Sequence, residues 1–129
     1  MNKKLFLYFL AFAAIFLFSC KSSEEVSNEA DFLEYISGYT SGPLSKYSSI
    51  RVSLATASPV FDQQDKDEVI KEIFEFSPKI EGTAHWVDKS TIEFKPTAPL
   101  KNGESFIGEF HLSKVLKVKK EEQENFKFK

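Results

Sequence analysis

From Phe32 onward, large apolar side chains recur at every second position in short bursts separated by turn residues. That period of two belongs to half-buried β-strands and leaves little room for amphipathic helix. Ile50, Val52 and Leu54 alternate with Arg51 and Ser53, which predicts one buried and one wet face. Phe32 to Tyr39 reads as an earlier strand ended by Ser41-Gly42-Pro43, and Phe74 with Phe76 centres a later one that stops at Ser77-Pro78. After Glu81-Gly82, Ala84 and Trp86 share a face. A turn follows at Asp88-Lys89, and Ile92 and Phe94 return beside them as the second arm of a hairpin closed by Lys95-Pro96. Phe106, Gly108, Phe110 and Leu112 form another alternating set, and Phe126 and Phe128 begin a last one. The helical expectation is one turn over Val69 to Glu72, with Asp65 as its cap and Glu68 answering it.

Together these segments make about seven strands, the number of an immunoglobulin-like antiparallel β-sandwich of about 100 residues. The expected fold class is therefore all-β, with one domain over residues 32–129 whose last strand is cut short at Lys129. Ahead of it, Lys21 to Ala30 is Ser, Glu, Lys and Asn with Val26 as the only large apolar residue. Such a composition cannot offset its ordering entropy, so residues 20–31 are expected to be a flexible tether.

The first 19 residues have a different purpose. Lys3 and Lys4 precede an unbroken apolar run of 14 residues, Leu5 to Phe18, followed by Ser19 and the chain's single cysteine, Cys20. A helix of that length rises only about 21 Å, against a hydrocarbon core of about 30 Å, which suits a cleaved export signal better than a permanent span. Leu17-Phe18-Ser19-Cys20 resembles the lipobox of bacterial lipoproteins. The resemblance implies cleavage before Cys20, a diacylglycerol thioether on its sulfur and acylation of the new amino group. Several acyl chains hold a protein where one binds only marginally. The expected location is a membrane of the bacterial cell envelope, the outer membrane first, on its periplasmic or surface face. An ordinary secretory signal with a coincidental cysteine is the competing reading.

Composition narrows the chemistry. Losing Lys3 and Lys4 with the signal leaves 15 of the 17 basic side chains against 19 acidic ones, a net of −4 with His neutral. That balance disfavours a polyanionic ligand, and the lysines at 117, 119 and 120 are answered by Glu121, Glu122 and Glu124. A disulfide within the chain is excluded, and zinc sites of the Cys-His kind lack their ligands. His85 and His111 lie opposite Trp86 and opposite Phe110 and Leu112, so both are expected to be solvent-facing strand residues. Asp62, Asp65, Asp67 and Glu68 lack the central glycine of a calcium loop and read as a solvated loop or cap. The nine phenylalanines beyond the signal fall mostly on the alternating faces and read as core. No catalytic, cofactor-binding or metal-binding residue is expected, and no nucleic-acid or small-molecule partner.

Two resemblances sharpen the reading. Leu100-Lys101-Asn102-Gly103-Glu104-Ser105-Phe106 resembles the corner entering the penultimate strand of immunoglobulin-like and fibronectin-like domains, with Phe106 where the family places a tyrosine. Phe106 is thereby expected to be buried with Trp86, Phe94 and Phe110. More broadly, Ser41-Gly42-x-x-Ser45, Ser49 to Val52, Phe74 to Trp86, Thr91 to Pro96 and the corner are similar to the N-terminal immunoglobulin-like domain of bacterial alpha-2-macroglobulin-like lipoproteins. That family implies a multidomain protease trap whose bait region is cut before it collapses around the protease, in many members with an internal thioester. A second cysteine followed closely by Glu-Gln, as the thioester requires, is absent here. The resemblance thus implies an anchored, non-catalytic first module, with proteases engaged by downstream domains. The competing class is a small surface or periplasmic Ig-like binding or adhesin lipoprotein, touching its partner through strand edges or loops such as Val60 to Asp67.

Lipidation is directly testable. The Cys20→Ser variant should accumulate as unprocessed or soluble exported protein, and metabolic labelling with a fatty acid should mark the parent chain alone.

Overall fold

The computed structural model describes Lys3 and residues 25–129; the rest of the predicted signal segment and Cys20 lie outside the described residues. Seven strands appear in chain order: β1 Ile36–Tyr39, β2 Ile50–Leu54, β3 Phe74–Ser77, β4 Gly82–Asp88, β5 Thr91–Pro96, β6 Ile107–Phe110 and β7 Phe126–Phe128. They form two antiparallel sheets, β1-β2-β5-β4 and β3-β6-β7. Lettered A to G, this is ABED packed on CFG, the strand order of a constant-type immunoglobulin sandwich.

Local chemistry explains the best-formed elements. Ile50, Val52 and Leu54 are buried and Arg51 exposed, as period two requires. The β4–β5 hairpin pairs Ala84 with Phe94 and Trp86 with Ile92. Its turn is held by Asp88, whose carboxylate accepts from the Ser90 amide at 2.8 Å and the Ser90 hydroxyl at 3.0 Å. Those two bonds hold the Asp88 carboxyl below the usual carboxylate range.

Aromatic rings join the sheets. Phe94 of β5 meets Phe76 and Phe74 of β3 at 4.8 and 5.8 Å between centroids. Tyr39 of β1 meets Phe126 and Phe128 of β7 at 4.9 and 5.6 Å. Phe128 also lies over Gly108, where an added Cβ would come within 2.5 Å of its ring, so β6 accepts only glycine there without displacing the ring.

Several expectations need correction. The first strand begins at Ile36, because Phe32 to Tyr35 forms a turn in which the Tyr35 and Ile36 amides both donate to the Phe32 carbonyl at 2.8 Å. The tether does not run to residue 31. The Ser27 amide donates to the Lys127 carbonyl at 2.9 Å, the Lys127 amide donates to the Ser27 hydroxyl at 2.8 Å, and Asn28 caps a 3-10 turn over Glu29–Asp31. These bonds cover part of the free edge of β7, which composition could not reveal. The helical turn is Lys66–Val69, three residues earlier than expected, and Asp65 stands at its cap without a side-chain bond. β6 stops at Phe110, so Leu112 enters the core from a 3-10 turn, Leu112–Lys114. Phe106 lies before β6 and is only half-buried, outside the core that contains Phe94 and Phe110; Trp86 packs at that core's edge. The corner keeps its turn, with Gly103 at φ +73°, but its ring sits at the open end of the sandwich.

Phe110 is fully buried, so Phe110→Ala should lower unfolding free energy by about 3 to 5 kcal/mol. Phe106→Ala should cost far less. Urea titrations of both variants read the difference.

Candidate functional site

The cysteine that carries the localisation expectation lies outside the described residues, and no described helix is long and apolar enough to cross a membrane. Ser27 is bonded to β7 only seven positions after Cys20, a stretch that spans at most about 25 Å when extended.

On the outer face of the four-stranded sheet, the register aligns Arg51, Glu93 and His85 across β2, β5 and β4. Glu93 is 4% exposed although it faces away from the core, because its neighbours cover it. The Arg51 guanidinium Nε donates to one carboxylate oxygen, and His85 Nε2 lies 3.2 Å from the other. Burial pushes the Glu93 carboxyl up, but hydrogen bonds from Arg51 and Ser49 and the charges of Arg51 and His85 outweigh it. The group is therefore held below the usual carboxylate range and stays ionised. Arg51 and His85 contact both of its oxygens, an arrangement that staples three strands.

His85 thus points away from Trp86 as alternation required, with its side chain 43% exposed, yet it is engaged rather than free in solvent. His111 departs further from expectation. It lies just beyond β6 with its side chain 20% exposed, Nδ1 2.7 Å from the Asn125 side-chain oxygen and Nε2 3.5 Å from the Glu75 carboxylate. The sequence separation of these partners hid them. Asp62, Asp65, Asp67 and Glu68 are all exposed. Among the described residues no three His, Cys, Asp or Glu side chains are grouped to hold a metal ion. The Lys119 ammonium pairs with Glu34, across the domain, rather than with the neighbouring glutamates.

The loop Val60 to Asp67 is partly structural. Val60 is buried, Phe61 packs edge-on to Trp86 at 5.4 Å, and the Trp86 indole donates to the Lys66 carbonyl at 3.2 Å. Among the surface grooves of the described residues, two adjoin a strand edge or the corner loops. One of about 370 Å³ lies along β3, with Ile80 and Ile107 between Glu75, Lys79, Glu109 and Lys127. The other, about 530 Å³, separates residues 42–46 from the corner at 100–106.

The Glu93 cluster has a pH signature. A carboxyl whose folded pKa is depressed contributes stability that is present above its unfolded pKa, about 4.3, and lost as pH falls through the folded value. Glu93→Gln should therefore cost about 1 kcal/mol near neutrality, the screened range for a pair with a half-exposed partner. The difference between variant and parent should shrink as urea midpoints are followed down through pH 4 to 3.

No family model matches the chain, and no curated protein matches it. Among solved structures the chain is similar to L,D-transpeptidase 3 from Mycobacterium tuberculosis, solved in complex with a faropenem-derived adduct. The identity is 10% and the TM-score 0.44, over 76% of this chain and 38% of that one. The chain therefore spans well under half of that structure.

Proposed function

We propose that this chain is the membrane-anchored, non-catalytic first module of an alpha-2-macroglobulin-like protease trap in a bacterial cell envelope. The observation that supports the anchored-module reading is position: Ser27, already bonded to the last strand of a constant-type sandwich, follows Cys20 of the lipobox-like sequence by seven positions. The macroglobulin part rests on the sequence resemblance. The stretches that carry most of it, Phe74 to Trp86 and Thr91 to Pro96, fold as consecutive strands β3, β4 and β5 and so link the two sheets. In this reading the module holds later domains near the lipid surface, and proteases meet a bait segment downstream.

A second reading, an Ig-like binding lipoprotein, is favoured by the groove along β3, where Ile80 and Ile107 lie between charged side chains beside a strand edge.

The full reading frame of the source gene separates the two. It is expected to encode further β-sandwich domains and a flexible bait segment. The full protein, once cleaved, should block a protease from a large protein substrate while leaving its action on a small peptide, as caging requires. Residues 21–129 alone should inhibit at no molar ratio. A stop codon soon after Lys129, or stoichiometric inhibition by the fragment, would overturn the trap.

A further inference from the structure

The two sheets present four outer strand edges, and three of them are blunted. β7 is covered in part by Ser27, and β1 and β4 each carry a register shift that bends the strand, between Ile36 and Gly38 and between Trp86 and Asp88. β3 pairs with β6 in unbroken register, from Phe74 opposite Phe110 to Ser77 opposite Ile107, and no strand of the described residues pairs with its other side. The His111 amide donates to the Ile73 carbonyl at 2.9 Å. Antiparallel pairs alternate, so Glu75 and Ser77 also exchange their bonds with β6, whereas the amides and carbonyls of Phe74 and Phe76 point to the open side. The groove with Ile80 and Ile107 in its wall runs beside that edge. The Glu75 side chain is 71% exposed there; its cross-strand neighbour is another carboxylate, Glu109, and its one ion-pair partner among the described residues is His111 at 3.5 Å. Both lysines of the groove are engaged elsewhere, Lys79 with Glu81 at 2.7 Å and Lys127 with Glu109 at 3.5 Å.

We propose that the open edge of β3 takes up an extended peptide as an added antiparallel strand, with an apolar side chain in the groove at Ile107 and a lysine or arginine against Glu75. The proposal rests on the reading of this groove as a binding site and not on the trap. Strand addition draws affinity from the free backbone groups of Phe74 and Phe76 and selectivity from alternate side chains of the guest. Guest residues opposite Ser77 and Glu75 fall on the groove face, because successive side chains of a strand take opposite faces. The first reaches Ile107 across the small Ser77, which pairs with it. The second stands directly across from Glu75, where an opposite charge attracts and a like charge repels. Residues between them turn to the core side beside the half-buried Phe76, a place for a β-branched residue. A second copy of this chain fits poorly. Two-fold pairing about Glu75 sets that carboxylate opposite its own copy, and pairing about Phe76 sets Phe74 opposite Pro78, which has no amide to donate.

The test uses the full chain as a bacterial host processes it, held in phosphatidylcholine nanodiscs. The probe is a dye-labelled peptide, acetyl-Thr-Leu-Val-Lys-Val-Thr amide, in which Leu faces Ser77 and Lys faces Glu75. Fluorescence anisotropy should show saturable binding, and hydrogen exchange at the Phe74 and Phe76 amides should slow several-fold while the four-stranded sheet is unchanged. Replacing the peptide's Lys by Glu should weaken binding about fivefold, the scale of one cross-strand charge pair. The Glu75→Lys variant, at an exposed position, should keep its thermal midpoint and prefer the Glu peptide instead. N-methylation of the two Val amides, which face the Phe76 and Phe74 carbonyls, should weaken binding about tenfold or more, since two hydrogen bonds are lost. No saturable binding would remove the groove reading and the proposal together. Equal binding of the N-methylated peptide, or unchanged exchange at Phe74 and Phe76, would overturn strand addition while leaving a groove that binds side chains. Equal affinity for the Lys and Glu peptides would overturn the role of Glu75 and the proposal with it. Protection at Phe74 and Phe76 that grows with protein concentration in the absence of peptide would name a second copy as the occupant and also overturn it.

Discussion

Packing of aromatic rings between two sheets is the interaction on which the rest of this domain depends. An antibody domain closes its sandwich with a disulfide between strands B and F. A chain with one cysteine has no such link. Here β2 and β6 instead contribute Val52 and Phe110, both fully buried, and the two sides of the sandwich are closed by Phe94 against Phe74 and Phe76 and by Tyr39 against Phe126 and Phe128. Aromatic pairs bury large areas and add about 0.5 to 1.5 kcal/mol each beyond burial. They also set a constraint on neighbours, visible where the Phe128 ring occupies the space above Gly108.

The segments outside the ladders complete that core. Ile70 and Ile73 enter it from the connection before β3, and Leu112 and Val115 from the one after β6. The buried Ser58 hydroxyl donates to the Val115 carbonyl at 2.7 Å, so two long connections are tied to each other as well as to the sheets. On the opposite surface, the Arg51–Glu93–His85 row turns a costly buried carboxylate into a cross-strand staple by meeting both oxygens.

These features bear on the proposed role. A module that positions other domains near a membrane needs rigidity more than it needs a reactive centre. Rigidity comes from the rings and the staple.

Sequence alone determined the strands whose side chains alternate: β2, the β4–β5 hairpin, β3 and β7, together with the strand count and the exclusion of a disulfide. Those are local properties, since period two sorts residues onto faces without any partner. It also marked Cys20, because a charged start, an apolar run and a cysteine are read directly along the chain. Tertiary structure alone decided what depends on distant neighbours. Alternation with Ile92 and Phe94 puts Glu93 on the outer face, but its burial comes from Arg51 and His85, which register brings beside it. Ser27 looked like tether until Lys127, a hundred residues later, offered it backbone bonds. Phe106 looked like core by alternation, yet it sits where the sandwich opens. The physical reason is common to all three: periodicity reports which face a side chain takes, whereas burial and pairing depend on what the rest of the fold places against that face.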